Sequence, residues 1–177
     1  FKVALAGTII VAGPWILSIL GIFIIGQFAG SAIEKSYGLF MGIIIYSYAF
    51  SLFFFGGIHY IFTRQVSDFI YERKHHEAGG TLVVYSCLLG AVAAVVAGAV
   101  ILPMNLGHIY NNMLFKISAV LMFVSINLIW LIMIFISLLK KYVLIFLIYL
   151  VGMTTSFLGV YVLGYFFSAG GSMLGFT

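Results

Sequence analysis

LFKISAVLMFVSINLIWLIMIFISLL, residues 114–139, decides the fold. Lys116, close to one end, is its single charge. At about 1.5 Å of helix rise per residue, such a run exceeds the roughly 20 residues that cross a hydrocarbon core of about 30 Å. Residues 3–29, 37–62, 82–102 and 142–167 read the same way, so the chain is predicted to be an all-α integral membrane protein with five spans and a short tail. The strings are continuous rather than alternating, which excludes a transmembrane β-barrel. Composition agrees: of 177 residues, 64% are hydrophobic and 7% charged, with a mean hydropathy of +1.26. A soluble domain carries about a quarter charged residues. A soluble enzyme, a nucleic-acid-binding domain and a secreted disulfide scaffold are therefore excluded, and lipid is the solvent. Cys87 is the one cysteine, so no internal disulfide is possible. The first run is too long for the apolar region of a cleaved signal peptide.

The net charge of +4 reads as a topology signal, not as affinity for nucleic acid. Placing the N-terminus and the second and fourth connections on one side gathers Lys2, Arg64, Arg73, Lys74, Lys140 and Lys141 there, against Lys35 and Lys116 opposite. The positive-inside rule then predicts a cytoplasmic N-terminus. Phe62, Val66, Phe69 and Ile70 keep a helical period beyond the second apolar run, so that helix is expected to extend outward. The second connection, YERKHHEAGG at 71–80, reads as the longest cytoplasmic loop, and SAGGSMLGFT at 168–177 as a loop leading into another segment.

Small residues at four-residue spacing, Gly26/Gly30, Gly38/Gly42 and Gly90/Ala94/Gly98, allow close helix approach in lipid. No catalytic, metal or cofactor constellation emerges. His75 and His76 point about 100° apart on a helix and read as a solvated loop beside Glu77, and His108 is equally isolated. No phosphate-binding glycine loop is present.

Polar side chains at mid-depth are more informative, because lipid offers them no partner. They are Ser18, Tyr48 and Ser51, Asn127, and Thr154 with Thr155, with Ser118 and Ser125 on one face of the fourth run. Serine and threonine can bond their own helix carbonyls. Asn127 needs several partners, and interhelical bonding and cavity lining both remain open for it. Gly13-Pro14 predicts a kink in the first helix, since proline removes a backbone bond and clashes with the carbonyl of Ile10. Arg64, Asp68 and Glu72 stand at four-residue spacing and predict an ion-pair ladder, serving as an interfacial anchor, a cytoplasmic gate or a docking face. His59, about one turn inside, is expected within reach of interfacial water.

Two strings carry a resemblance: AGPWILSILGIF (12–23) and IYSYAFSLFFFGGIHYIFTRQVSDFIYERKH (45–75). The Gly-Pro-Trp helix, the aromatic-Ala-Phe-Ser-Leu segment, and Thr63, Arg64, Asp68 and Tyr71 resemble the PelG family of Pel exopolysaccharide transporters. From Thr81 onward the likeness is generic. The resemblance implies the flippase superfamily that includes multidrug-extrusion and oligosaccharide-lipid transporters, with two six-helix lobes alternating access around a central cavity. This chain would then be part of a first lobe, an N-terminal-half fragment. Implied partners are membrane lipid, a cytoplasmic glycosyltransferase, c-di-GMP-sensing membrane companions and an N-acetylhexosamine polymer of the biofilm matrix, at a bacterial inner membrane.

On that reading Ser18, Tyr46, Tyr48, Ser51, Asn127, Thr154 and Thr155 are the expected substrate pathway. Gly13 and Pro14 form the kink, and Arg64, Asp68 and Glu72 the docking face or gate. No mid-depth carboxylate is present in the five runs, which favours a neutral, still acetylated polymer over a cationic one. Two alternatives are an ion-coupled small-molecule exporter, which usually needs an intramembrane carboxylate, and a small membrane scaffold subunit of a synthase complex.

Overall fold

The long apolar runs hold at most one charge each, so each satisfies its backbone internally as a helix. A computed structural model describes residues 16, 18–24, 26–27, 37–106 and 112–177. Residues 18–24 are helical and are called α1. They are followed by α2 (Tyr37–Tyr71), α3 (His75–Ile101), α4 (Asn112–Leu138) and α5 (Tyr142–Phe176). Among the described residues, four helices are long and apolar enough to cross a membrane, the last over Tyr142–Phe167. Much of the 3–29 run, with Gly13 and Pro14, lies outside the described residues.

Helix α4 is the centre of the bundle, packed between α3 and α5 and against α2. The buried stripe of α2 runs Phe40, Ile44, Ser47, Ser51, Phe55, His59, Phe62, Val66. Its three- and four-residue steps trace one helix face. On α3 the buried face is Leu89, Ala93, Ala97, Ile101, one register away from the expected Gly90/Ala94/Gly98. Gly90 only touches Val124 and Leu128 at 4.0 Å. Gly38 and Gly42 face open space, and Gly26 sits against Tyr37 and Met41. The outward faces carry large apolar side chains such as Phe53, Val95 and Tyr161, as a lipid-facing surface requires.

Helix α2 does extend to Tyr71. The loop after it is short, however: Glu72, Arg73 and Lys74 suffice, and His75, His76 and Glu77 open α3. The ion-pair ladder does not form among the described residues. Past the helix end, Glu72 turns to Lys74 at 2.7 Å, while Arg64 and Asp68 project outward, exposed. Glu72, through a hydrogen bond and its charge, holds the Lys74 ammonium above the usual lysine range.

The α2–α3 and α4–α5 turns share one design. Lys74 N–H donates to Phe69 O at 2.9 Å and Arg73 N–H to Ile70 O at 3.1 Å; Lys141 N–H donates to Ile136 O at 3.3 Å and Lys140 N–H to Ser137 O at 2.9 Å. Both are Schellman caps. Their left-handed positions hold Arg73 (φ 61°) and Lys140 (φ 59°) where glycine is usual. A left-handed side-chain residue costs about 1–2 kcal/mol, and glycine loses about 0.5–1 kcal/mol more entropy on folding. Arg73→Gly and Lys140→Gly should therefore each raise the unfolding free energy by about 0.5–1 kcal/mol. Denaturation in detergent checks this. The cations gain by sitting at negative helix C-termini.

The end of α5 departs from the expected loop. Residues 142–176 are helical, yet the run is not one straight rod. Ser172 Oγ bonds Val160 O at 3.4 Å, whereas a straight helix would separate these positions by about 18 Å. A Cβ added at Gly159 would lie 2.6 Å from Gly175 O, and Gly171 faces Leu163 O. The chain doubles back near Phe167; Gly159, Gly171 and Gly175 let the two limbs touch backbone to backbone, and Gly164 sits against the Ser172 side chain. Thr177 Oγ1 ties the returning limb to α4 through Ser118 O at 3.2 Å.

Candidate functional site: a hydroxyl-lined cavity

A cavity of about 390 Å³ lies between α2, α4, α5 and the turned-back limb. Tyr48 enters it from α2, Ser125 from α4, Tyr149, Thr155 and Ser156 from α5, and Thr177 from the returning limb. Met122, Ile126, Ile129, Ile148 and Phe176 supply apolar walls. Among the described residues, the side chains that give it polarity are neutral hydroxyls, and no charged side chain lines it. Thr155 Oγ1 donates to Val151 O at 2.9 Å, which leaves it an acceptor for anything in the cavity. Ser18 of α1 hydrogen-bonds the Tyr149 side chain, and Gly21 abuts Met153, so α1 closes this flank.

The residues expected along a substrate pathway thus separate into distinct places. Tyr48 and Thr155 line the cavity, and Ser18 borders it through Tyr149. Ser51 and Asn127 are fully buried behind it: Ser51 Oγ donates to Asn127 Oδ1 at 2.9 Å, and Asn127 Nδ2 to Phe123 O at 2.8 Å. This fixes Asn127 as an interhelical bond between α2 and α4. Thr154 points outward, its hydroxyl on Leu150 O at 2.8 Å. Tyr46 belongs to another feature, a groove of about 420 Å³ between α2 and α3 lined by Phe50, Phe54, Val96 and Val100. There Tyr46 stacks on Phe50 at 6.1 Å, and Phe50 meets Phe54 at 5.8 Å.

His59 is buried, 6% exposed, on the packed stripe of α2. Its ring meets the main chain of Asn127, and Nε2 has no hydrogen-bond partner among the described residues. At the end of α2, Tyr85 of α3 donates to Gln65 Oε1 at 3.0 Å and packs on Phe62, clamping the two helices.

Tyr149, Ser156 and Thr177 were not singled out from sequence. A signal existed for the first two: Tyr149, Gly152 and Ser156 recur at helical spacing on one face of α5. Thr177 had none, because its place depends on the reversal near Phe167.

A family model described as "PelG: Putative exopolysaccharide Exporter (EPS-E)" matches residues 2–177. The chain belongs to the PelG family. No curated protein and no solved structure matches it. As a PelG member with long apolar helices, it is a multi-pass membrane protein of an exopolysaccharide-exporting family, not of an enzyme family. Neutral hydroxyls flanked by apolar walls suit such cargo, since sugars present hydroxyls and amides along with apolar C–H faces.

Proposed function

We propose that this PelG-family member passes a neutral, acetylated N-acetylhexosamine polymer across a bacterial inner membrane for the biofilm matrix, along the hydroxyl-lined cavity. The observation that carries this reading is the lining itself: six hydroxyl side chains, Tyr48, Ser125, Tyr149, Thr155, Ser156 and Thr177, with no charge among them. A cationic polymer would find no counter-charge there, so deacetylation follows export. The second lobe implied by the superfamily would complete the path.

In this reading the N-terminus is cytoplasmic. In alternating spans the two cation-bearing turns, Arg73-Lys74 and Lys140-Lys141, fall on one face, as the positive-inside rule requires of a cytoplasmic side. The exposed Arg64, Asp68 and Glu72 lie towards that face and form the docking surface for the glycosyltransferase and its c-di-GMP-sensing companions.

The experiment is export of polymer by cells carrying Tyr149→Phe, Tyr48→Phe and Ser156→Ala. Each loses a hydroxyl worth about 0.5–1.5 kcal/mol, so each should slow export by roughly twofold to tenfold with membrane levels unchanged. Thr154→Val, on the outward face, should leave the rate within about twofold. Equal effects from the outward and cavity positions would sink the proposal.

A further inference from the structure

We infer that His59 is a protonation site within the membrane that couples polymer movement to the proton gradient. The inference rests on the export reading above and concerns its energy source. His59 sits on the buried stripe of α2, five residues before Arg64, or about 7.5 Å inside the charged helix end. It is 6% exposed, and Nε2 is unpartnered among the described residues. A purely structural position would favour an apolar side chain, because a buried polar atom without a partner is a net cost. An ionisable residue kept inside a membrane span is by default a functional group.

The surroundings make protonation consequential. Asn127 of α4 meets the His59 ring through its main chain and Ser51 through its side chain, forming a polar file between α2 and α4. On α3, Tyr85 bonds Gln65, further along α2 than His59. Glu77, the only acidic or basic residue of α3 besides the histidines at its start, lies in the first turn, and Lys116, the only one of α4, lies near its start. α5 has none. Arg64 and Asp68 on α2 itself are therefore the nearest charges, and both face outward. An imidazolium at this position has no counter-ion, and burying an unpaired charge is expensive. Taking a proton at Nε2 thus forces α2 to move against α4 until water reaches the ring. Releasing the proton on the opposite side lets the helices close again.

The test uses inside-out vesicles from cells expressing the full protein with its transferase, making labelled polymer from its nucleotide sugar. A lumen about one pH unit more acidic than the outside should speed wild-type export by up to about tenfold, the value of one exchanged proton. A protonophore should abolish the change, and His59→Gln should export at one gradient-independent rate. Gradient dependence that survives in His59→Gln, or wild-type export indifferent to the gradient, overturns the coupling. No lumenal polymer from wild type under any gradient instead overturns the export reading. If His59→Gln is not retained in the membrane, the ¹⁵N shift of the His59 ring in the wild-type protein decides. Titration between pH 5 and 8 supports the inference, and a neutral ring throughout overturns it.

Discussion

Gly175→Leu is expected to unseat the turned-back limb of α5 and to abolish export. A side chain at Gly175 would run into the main chain of Gly159 and Val160, and one at Gly159 would meet Gly175 O at 2.6 Å. The obstacle in both cases is backbone, which cannot change rotamer. Overpacking in a closed core costs about 1–3 kcal/mol, and backbone obstruction belongs at the upper end of that range. The limb also supplies Gly175, Phe176 and Thr177 to the cavity wall, so its displacement opens the site. Gly42→Leu is the control, since nothing lies within 4 Å of a Cβ at that position. It should leave the fold intact and, by removing a helix-interior glycine, stabilise it by no more than about 1 kcal/mol. Thermal unfolding in detergent, with export assayed in cells, separates the two.

Asn127→Ala should be the second most damaging change, and Ser51→Ala much milder. The asparagine holds α2 to α4 through Ser51 while bonding Phe123 O, and it is fully buried. In lipid a single interhelical hydrogen bond averages only about 0.6 kcal/mol, because the separated helices find other partners. Ser51→Ala should therefore cost about that much. Asn127→Ala also leaves a void and a stranded Ser51 hydroxyl, for a total of about 2 kcal/mol. A double-mutant cycle should give a coupling of about 0.6 kcal/mol. Since Asn127 does not line the cavity, export should fall only as far as folded protein falls. A loss of export with folding intact would return Asn127 to the pathway.

The helices were legible because charge is so sparse. Lys116, Arg73-Lys74 and Lys140-Lys141 punctuate the apolar runs, and the structure ends or begins α2, α3, α4 and α5 close to them. Which face of each helix packs was much less legible. In water the outward face is polar and periodicity reveals the buried stripe; in lipid both faces are apolar and that signal vanishes. The Gly90/Ala94/Gly98 spacing accordingly pointed one register away from the buried Ala93 and Ala97. Polar residues kept their information: Ser51 and Asn127 meet, and Tyr48 and Thr155 share a cavity. Tyr46 and Tyr48, two residues apart, diverge into different features because a helix turns about 200° between them. The glycine contacts of α5 are long-range facts of a chain reversal, which no local spacing encodes.

The central claim is that the polymer travels beside Tyr149. Replacing Tyr149 with a photoreactive phenylalanine analogue in exporting cells, and in parallel Tyr46 and the outward Tyr161, tests it most directly. Illumination should join labelled polymer to the protein at 149 and leave 46 and 161 at background. Polymer captured at 46 or 161 as readily as at 149, or at none of them during active export, would contradict the account.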